Sequence, residues 1–215
     1  MALPLGRAGC AMPFVCVSPG PGVILLEAFF TSTAIVALAE MGDKTQLLAL
    51  VLAARFRKPV PIILGILFAT LANHALAALV GQQMARILDG EWFRYLVALG
   101  FIAMAGWTLI PDKFDDGDEP KPARFGAFLT TLVAFFIVEM GDKTQIATIA
   151  LGARYESVLA VTAGTTLGMM LANAPAVYLG EALVKRIPLN AMRIGAAFLF
   201  LVMGLWLAAE TANLI

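Results

Sequence analysis

The sequence is poor in the residues that build disulfide frameworks, thiolate or imidazole metal centres, and charged surfaces. Its two cysteines, Cys10 and Cys16, both lie near the N-terminus, so neither a disulfide framework nor a paired-cysteine metal site is supported. The chain has one histidine, His74, and 14% charged residues, in which 15 basic side chains balance 15 acidic ones. A chain without net charge gives no reason to expect nucleic acid as a partner. We also expect no resident cofactor.

What the sequence has in abundance is apolar side chains. Hydrophobic residues make up 60% of the 215 residues and the mean hydropathy is +0.87, far from the balance of a soluble domain. A helix of about 20 apolar residues crosses the roughly 30 Å of hydrocarbon in a lipid bilayer. The sequence therefore predicts an all-α integral membrane protein with six transmembrane helices. The predicted spans are residues 23–54, 59–84, 92–110, 125–153, 158–179 and 189–209.

Seven residues, Glu-Met-Gly-Asp-Lys-Thr-Gln, occur twice, at 40–46 and at 139–145, and each copy lies inside an apolar stretch. A charged side chain at the centre of a membrane span costs about 2.5–3.5 kcal/mol on insertion scales. Such a cost at both copies is hard to explain without a function. The duplicated motif therefore indicates a cation pathway where two halves of the chain meet.

The repeat extends beyond these seven residues. Residues 40–56 and 139–155 align without gaps, and ten of the seventeen positions are identical. Each half holds three predicted spans, and because three is an odd number the second half must cross the membrane in the opposite orientation. Inverted repeats of this kind are typical of secondary transporters, whose sites lie near the midplane between the repeats. The predicted divisions are an irregular tail, 1–22, a first repeat, 23–110, an acidic linker, 111–124, and a second repeat, 125–215.

Carboxylate and amide oxygens are placed where the two motif copies would meet. On a continuous helix Glu40, Asp43 and Lys44 share one face, because residues three and four apart are neighbours. Oxygen ligands suit hard divalent cations such as Mn²⁺, Ca²⁺ and Mg²⁺, whereas softer metals require His or Cys. The predicted metal ligands are Glu40, Asp43, Gln46, Glu139, Asp142 and Gln145.

Other polar residues are predicted to support the site. Lysines beside the carboxylates would supply a counter-charge when the metal leaves, since carboxylates crowded in a low dielectric otherwise take up protons. Either response couples metal release to a compensating positive charge, as an antiport cycle requires. His74 has two open interpretations, a proton relay or a packing residue. The predicted supporting residues are Lys44, Thr45, Asn73, Lys143, Thr144 and Asn173.

The length of the first and fourth spans leaves their shape open. A straight helix over residues 23–54 would be about 48 Å long, against about 30 Å of hydrocarbon. Either the helix is tilted and continuous, or it is broken at Gly42, with Gly141 as the equivalent hinge in the second repeat. Transporters commonly interrupt helices at their binding sites, where unwound backbone carbonyls bind cations.

The pattern E-x-G-D-[KR]-[ST], present once in each of two three-span halves, resembles that of a family of manganese and calcium transporters. The resemblance covers nearly all of the chain from Val23 onward. It implies transport of divalent cations, Mn²⁺ first and in some members Ca²⁺, in exchange for protons. The short linker is similar to that of bacterial members, so we expect manganese export across a bacterial inner membrane. The matching residues are Glu40, Gly42, Asp43, Lys44 and Thr45, then Glu139, Gly141, Asp142, Lys143 and Thr144.

The distribution of basic residues predicts how the chain lies in the membrane. Eight of them fall in the first, third and fifth loops, and four in the N-terminal tail with the second and fourth loops. Basic residues are more frequent on the cytoplasmic side of membrane proteins. Both termini are therefore predicted outside, and the acidic linker in the cytoplasm.

Two other functions fit part of the pattern. A passive cation channel would use the same carboxylates without proton coupling, although the lysines beside them argue against it. An intramembrane aspartyl protease would use Asp43 and Asp142, but such enzymes need two aspartates in different sequence settings, and these two settings are identical. A transporter is therefore favoured over an enzyme. The metal preference, the counter-ion with its stoichiometry, and the oligomeric state are left open.

Overall fold

A computed structural model describes residues 21–88, 90–110, 126–180 and 188–214 of the chain. The predicted tail, 1–22, lies almost wholly outside the described residues, as do Cys10, Cys16 and all of the predicted linker, 111–124. All five basic residues of the third and fifth loops fall outside as well. The orientation in the membrane therefore stays a prediction.

The described residues form eight helices and contain no strand, which confirms the all-α class. Among them, four stretches are long and apolar enough to cross a membrane: Gly22–Glu40, Pro59–Ile87, Val158–Leu179 and Leu189–Thr211. The predicted count of six spans goes beyond these four and stays a prediction. The helices are α1 (Pro21–Glu40), α2 (Lys44–Phe56), α3 (Pro59–Ile87), α4 (Glu91–Thr108), α5 (Ala127–Glu139), α6 (Lys143–Tyr155), α7 (Val158–Leu179) and α8 (Leu189–Thr211).

Both over-long predicted spans are interrupted at the motif. In the first repeat α1 ends at Glu40 and α2 begins at Lys44. In the second repeat α5 ends at Glu139 and α6 begins at Lys143. Of the two alternatives left open by the sequence, the structure therefore has the break and not the continuous helix, at both copies.

Helix ends recur at equivalent positions of the two repeats. Arg57, directly after α2, and Glu156, directly after α6, are both left-handed, with φ of 53° and 49°. The amide of each bonds to the carbonyl four residues back, which closes the last helical turn. The next helix begins at Pro59 in one repeat, where the fixed φ of proline suits a first turn. In the other it begins after Ser157, whose hydroxyl accepts from the backbone of the first turn. The sequence repeat is thus also a repeat of local structure.

Helices of one repeat pack extensively against helices of the other. α1 packs along α7, α3 packs along both α5 and α6, and α4 packs along α8. Glycines bring the backbones close: a Cβ added at Gly164 of α7 would overlap the carbonyl oxygen of Phe29 in α1. A Cβ at Gly81 of α3 would likewise overlap the carbonyl oxygen of Ile149 in α6. Small residues at helix crossings are how helices associate in lipid, where van der Waals contact replaces the hydrophobic effect.

Two apolar clusters flank the motif turns. One cluster joins α1, which precedes the first turn, to α6, which follows the second turn, and it includes Ile35, Leu151 and Phe200 of α8. The other cluster joins α2, which follows the first turn, to α5, which precedes the second turn, and it includes Leu48 and Phe135. The motif residues lie between these clusters, so packing on both sides fixes the positions of the turns.

Candidate metal site

Each motif copy forms a tight turn between two helices. The amide of Asp43 donates to the carbonyl oxygen of Glu40 over 3.1 Å, and the amide of Asp142 donates to that of Glu139 over 3.2 Å. Each Asp directly precedes a helix, where the positive end of the helix dipole stabilises a negative charge. The predicted arrangement along one continuous helical face is therefore wrong, and a turn brings Glu and Asp of each copy together.

The glycine of each turn has a conformation that other residues rarely take. Gly42 and Gly141 stand third in their four-residue turns, with φ of +83° and +82°. Met140, the second residue of its turn, has φ −66° and ψ 116°. These angles define a type II turn, which requires positive φ at its third residue. Glycine reaches this conformation without steric cost, which explains why it occupies the position in both copies.

Three carboxylates from the two repeats converge. Oxygen atoms of Glu40, Asp43 and Asp142 all lie within 4.8 Å of one another. The exposed fraction of each side chain is 6% or less. Carboxylates this close repel one another unless a cation, a proton or a hydrogen-bond donor lies among them. The group can therefore bind a hard divalent cation, whose carboxylate ligands stand about 2.0–2.6 Å away.

The fourth predicted carboxylate lies beside this group. Glu139 is 1% exposed, and its Oε2 lies 3.7 Å from Nε2 of His74 on α3. Glu139 is close enough to Asp43 and Asp142 to interact electrostatically with both. The structure thus brings three of the four predicted carboxylates into one group and places the fourth against the only histidine of the chain.

The motif lysines contact groups from distant parts of the chain. Nζ of Lys44 lies 3.3 Å from Oδ1 of Asp142, so this ion pair joins the two repeats. Nζ of Lys143 donates to the carbonyl oxygen of Ile110, just after α4, over 2.9 Å and lies 5.9 Å from the ring centre of Trp107. Lys44 thus lies beside a carboxylate, as the predicted counter-charge requires, and Lys143 connects the motif to the end of α4.

The motif threonines hydrogen-bond to carboxylates. The hydroxyl of Thr45 donates to Oε2 of Glu40. The hydroxyl of Thr144 donates to Oδ2 of Asp142 over 3.4 Å. A hydroxyl that donates to a carboxylate favours its ionised form. Both threonines are therefore placed to support the acidic group.

The motif glutamines hold the turns together. The side-chain oxygen of Gln46 accepts from the amide of Gly42 over 3.0 Å, and that of Gln145 accepts from the amide of Gly141 over 2.6 Å. Nε2 of Gln46 also donates to the carbonyl oxygen of Ala172 on α7 over 3.0 Å. In both residues the oxygen that would bind a metal is bonded to the turn, so this geometry does not support the predicted role of the glutamines as ligands.

The two asparagines make helix contacts. Nδ2 of Asn73 donates to the carbonyl oxygen of Phe136 on α5 over 3.0 Å, which joins the repeats. Nδ2 of Asn173 donates to the carbonyl oxygen of Met169 in its own helix over 3.1 Å. Their support of the metal site stays a prediction.

Arg193 and Thr108 were not identified from the sequence. A small cavity, with room for one water-sized sphere (about 10 Å³), touches both of them together with Asp43 and Asp142. Nη2 of Arg193 donates to the carbonyl oxygen of Gly42 over 3.4 Å. A charge inside a predicted apolar span is itself a functional signal, so Arg193 could have been found from the sequence. Thr108 carries no such signal.

Comparison with known proteins agrees with this geometry. The family profile described as "Divalent cation/proton antiporter GDT1" matches residues 28–116, which cover most of the first predicted repeat and the start of the linker, and residues 127–214 of the second. A protein of Vibrio cholerae serotype O1 named "Putative manganese exporter" is 50% identical over 190 residues, which cover 88% of this chain and 94% of that protein. "GDT1-like protein 5" of Arabidopsis thaliana is 27% identical over 219 residues, covering 84% and 95% of the two chains. No solved structure matches the chain.

The resemblance inferred from the motif is thereby confirmed. The matched stretches cover most of the chain, and the Vibrio cholerae protein is similar over almost its whole length. Because the family consists of transporters, this protein is not an enzyme, and the aspartyl protease alternative is wrong. With buried carboxylates from both motif copies meeting at one place, the chain belongs to the GDT1 family of divalent cation/proton antiporters.

Proposed function

We propose that this antiporter exports Mn²⁺ in exchange for protons, with Ca²⁺ as the second candidate substrate. The observation that carries the proposal is the convergence of Glu40, Asp43 and Asp142 from the two repeats. Carboxylate oxygens suit Mn²⁺, Ca²⁺ and Mg²⁺ better than they suit softer metals. Mn²⁺ is the first choice because the 50% identical protein of Vibrio cholerae carries manganese export in its name.

Charge balance supports an exchange of cations. Each motif copy has two carboxylates and one lysine, so the two copies together carry a formal charge of −2, which one divalent cation neutralises. The ammonium groups of the two lysines are already counted in this sum, and that of Lys44 is already paired with Asp142. When the metal leaves, the remaining charge of the buried carboxylates must therefore be neutralised by protons. Proton uptake on metal release would give the antiport cycle of the family.

The fold we propose is six spans in two inverted repeats, 23–110 and 125–215. In it, α1 with α2 and α5 with α6 form two broken spans, and α3, α4, α7 and α8 form the other four. Contacts between the broken spans support this arrangement, because α1 packs against α6 and α2 packs against α5. The first helix of each broken span thus lies beside the second helix of the other, as it does when the two spans run in opposite directions.

The proposed site lies near the midplane of the membrane. α2 and α6 have 13 residues each, so each extends about 20 Å from its motif turn. In inverted repeats these two helices leave the turns toward opposite surfaces, and the turns then lie near the centre of a bilayer. The basic residues favour both termini outside and the linker in the cytoplasm. The bacterial relative favours an inner membrane.

Flux measurements on proteoliposomes test the proposal. Asp43→Asn and Asp142→Asn remove one anionic oxygen each at nearly constant volume, and both should abolish Mn²⁺ flux while the protein stays folded and inserted. Glu91→Gln is the matched control, because Glu91 is an exposed carboxylate in the first turn of α4. It should keep the flux of the unmodified protein. Full flux in both aspartate variants, at equal protein levels, would contradict the proposed site.

Coupling to protons needs a second measurement on the same vesicles. An imposed pH gradient should drive Mn²⁺ movement, and a Mn²⁺ gradient should move protons in the opposite direction, as followed with a pH-sensitive dye. Flux that is indifferent to the pH gradient and to a proton ionophore would instead indicate the passive channel.

A further inference from the structure

His74 is a buried polar side chain that the proposed transport mechanism does not yet use. It is 0% exposed on α3, and its Nε2 lies 3.7 Å from Oε2 of Glu139. That separation is too long for a hydrogen bond. Within the residues that the structure describes, neither ring nitrogen of His74 and neither carboxylate oxygen of Glu139 has a partner within hydrogen-bond distance, although the hydroxyl of Thr70 on α3 lies near enough to Glu139 to influence it. Buried polar atoms left in this way are costly and require an explanation.

The separation of the two groups suits metal ligation. Two ligands that each stand about 2.0–2.2 Å from one ion are roughly 2.8–4.4 Å apart, depending on the angle between them. The 3.7 Å between Nε2 of His74 and Oε2 of Glu139 falls inside that range. Glu139 also interacts electrostatically with Asp43 and Asp142, so this pair adjoins the group of three carboxylates. The pair stands outside the group of three oxygen atoms that lie within 4.8 Å of one another, so an ion bound by His74 and Glu139 would lie at the edge of that group.

We propose that His74 and Glu139 form a nitrogen–oxygen arm of the metal site that selects first-row transition cations, Mn²⁺ among them, over Ca²⁺. The chemical reason is that imidazole is a favourable ligand for transition metals, whereas Ca²⁺ takes oxygen ligands and gains little from a nitrogen donor. The inference rests on the proposed transport of a metal by the motif carboxylates, and it identifies the residue that decides which metal is preferred.

The arm belongs to one repeat only. Leu71-Ala72-Asn73 of α3 corresponds in sequence to Leu171-Ala172-Asn173 of α7, so the position of His74 is occupied by Ala174 in the second repeat. The neighbour of His74 in the sequence, Asn73, donates to the carbonyl oxygen of Phe136, three residues before Glu139. This bond fixes the position of α3 along α5 and so holds the imidazole of His74 beside the carboxylate of Glu139.

The test compares metal preference in His74→Gln and in the unmodified protein. Affinities for Mn²⁺ and Ca²⁺ are measured by competition on purified full-length protein, and we expect the Mn²⁺-to-Ca²⁺ affinity ratio to fall by about 10-fold or more, the scale of losing a metal-supporting partner. Ala174→Gln places the same amide at the equivalent position of the second repeat and should leave the ratio unchanged. An unchanged ratio in His74→Gln would overturn the proposal, because a packing role affects both metals alike.

Spectroscopy on the unmodified protein gives a result that does not depend on how the variant folds. Pulsed EPR of bound Mn²⁺ should show the nitrogen coupling of a coordinated imidazole, and His74→Gln should remove it. Absence of that coupling in the unmodified protein would overturn the proposal even if His74→Gln fails to fold.

The outcomes also separate this inference from the proposed function. If Glu40→Gln and Asp43→Asn bind both metals normally, the proposed carboxylate site itself is wrong. If those variants lose both metals while His74→Gln keeps the original ratio, only the role of His74 is wrong. Loss of both metals in the carboxylate variants, together with a selective loss of Mn²⁺ in His74→Gln, supports both.

Discussion

Replacing Gly42 and Gly141 by alanine, one at a time, should have unequal consequences although the two glycines are equivalent in sequence. Both have left-handed φ, +83° and +82°, and alanine in that conformation costs about 1–2 kcal/mol. The surroundings differ. A Cβ at Gly42 would lie 2.8 Å from Cδ2 and 3.1 Å from Cδ1 of Leu189, whereas one at Gly141 has no described atom of another part of the chain within 4 Å.

The difference can be expressed as free energy of unfolding. Gly141→Ala should lose only the conformational cost of about 1–2 kcal/mol. Gly42→Ala must also displace the side chain of Leu189, and overpacking of this kind costs typically about 1–3 kcal/mol. The sum for Gly42→Ala is therefore about 2–5 kcal/mol. The lower end is expected, because Leu189 is at the start of α8 and only half-buried, so its side chain has room to move.

A double-mutant cycle with Leu189→Ala isolates the contact. Free energies of unfolding are measured by denaturing-detergent titration in mixed micelles. Leu189→Ala should recover about 1–3 kcal/mol in the Gly42→Ala background and close to nothing in the Gly141→Ala background. Equal losses in the two single variants, or equal recovery in both backgrounds, would refute the reasoning. Gly141→Asn gives a further check, since Asn tolerates left-handed φ better than Ala and should be less destabilising there.

Three further predictions concern the rest of the motif. Lys44→Met should increase the number of protons released per Mn²⁺ bound, because the ammonium group no longer compensates the carboxylates. Calorimetry in buffers of different ionisation enthalpy measures this number. Lys44→Arg keeps the charge and should not change it, and an increase in both variants would contradict the counter-charge role. Gln46→Ala should lower the free energy of unfolding by about 1–3 kcal/mol, and by more than Gln145→Ala, because Gln46 also bonds to α7; the reverse order would be evidence against that bond. Cysteines replacing Thr45 and Thr144, both buried here, should change in opposite directions in their reactivity toward a water-soluble thiol reagent when Mn²⁺ is added. If both positions gain access together or lose it together, alternation between the two sides is excluded.

The carboxylates of the candidate site could be identified from the sequence, because the cost of a carboxylate inside an apolar stretch is itself a signal. That argument identified Glu40, Asp43 and Asp142 before any contact between them was known. The same argument applied to Arg193, which lies in the last predicted span. At the offset of 99 residues that relates the two motif copies, Arg193 corresponds to Arg94, so the repeat also includes this position.

The break in the long spans could not be decided from the sequence. Glycine is frequent in transmembrane helices, so Gly141 alone does not distinguish a turn from an ordinary helical position. The outcome depends on packing: the segments before and after each turn belong to different apolar clusters, one with Ile35 and Leu151 and the other with Leu48 and Phe135. Burial in two separate cores favours two short helices over one long helix, and that information lies in the tertiary contacts.

Two identical motif copies become different through their neighbours. Glu40 accepts a hydrogen bond from Thr45 inside its own motif, whereas Glu139 lies against His74 of α3. The sequence differences behind this include two positions of the facing helices: α3 has Thr70 and His74 where α7 has Met170 and Ala174. A change at the position of His74 would alter the donor atoms beside the site without changing the residues of the motif. Metal preference could then change while the motif carboxylates are kept. We therefore expect family members that share the motif and differ in preferred metal to differ at the helix positions that face the two glutamates.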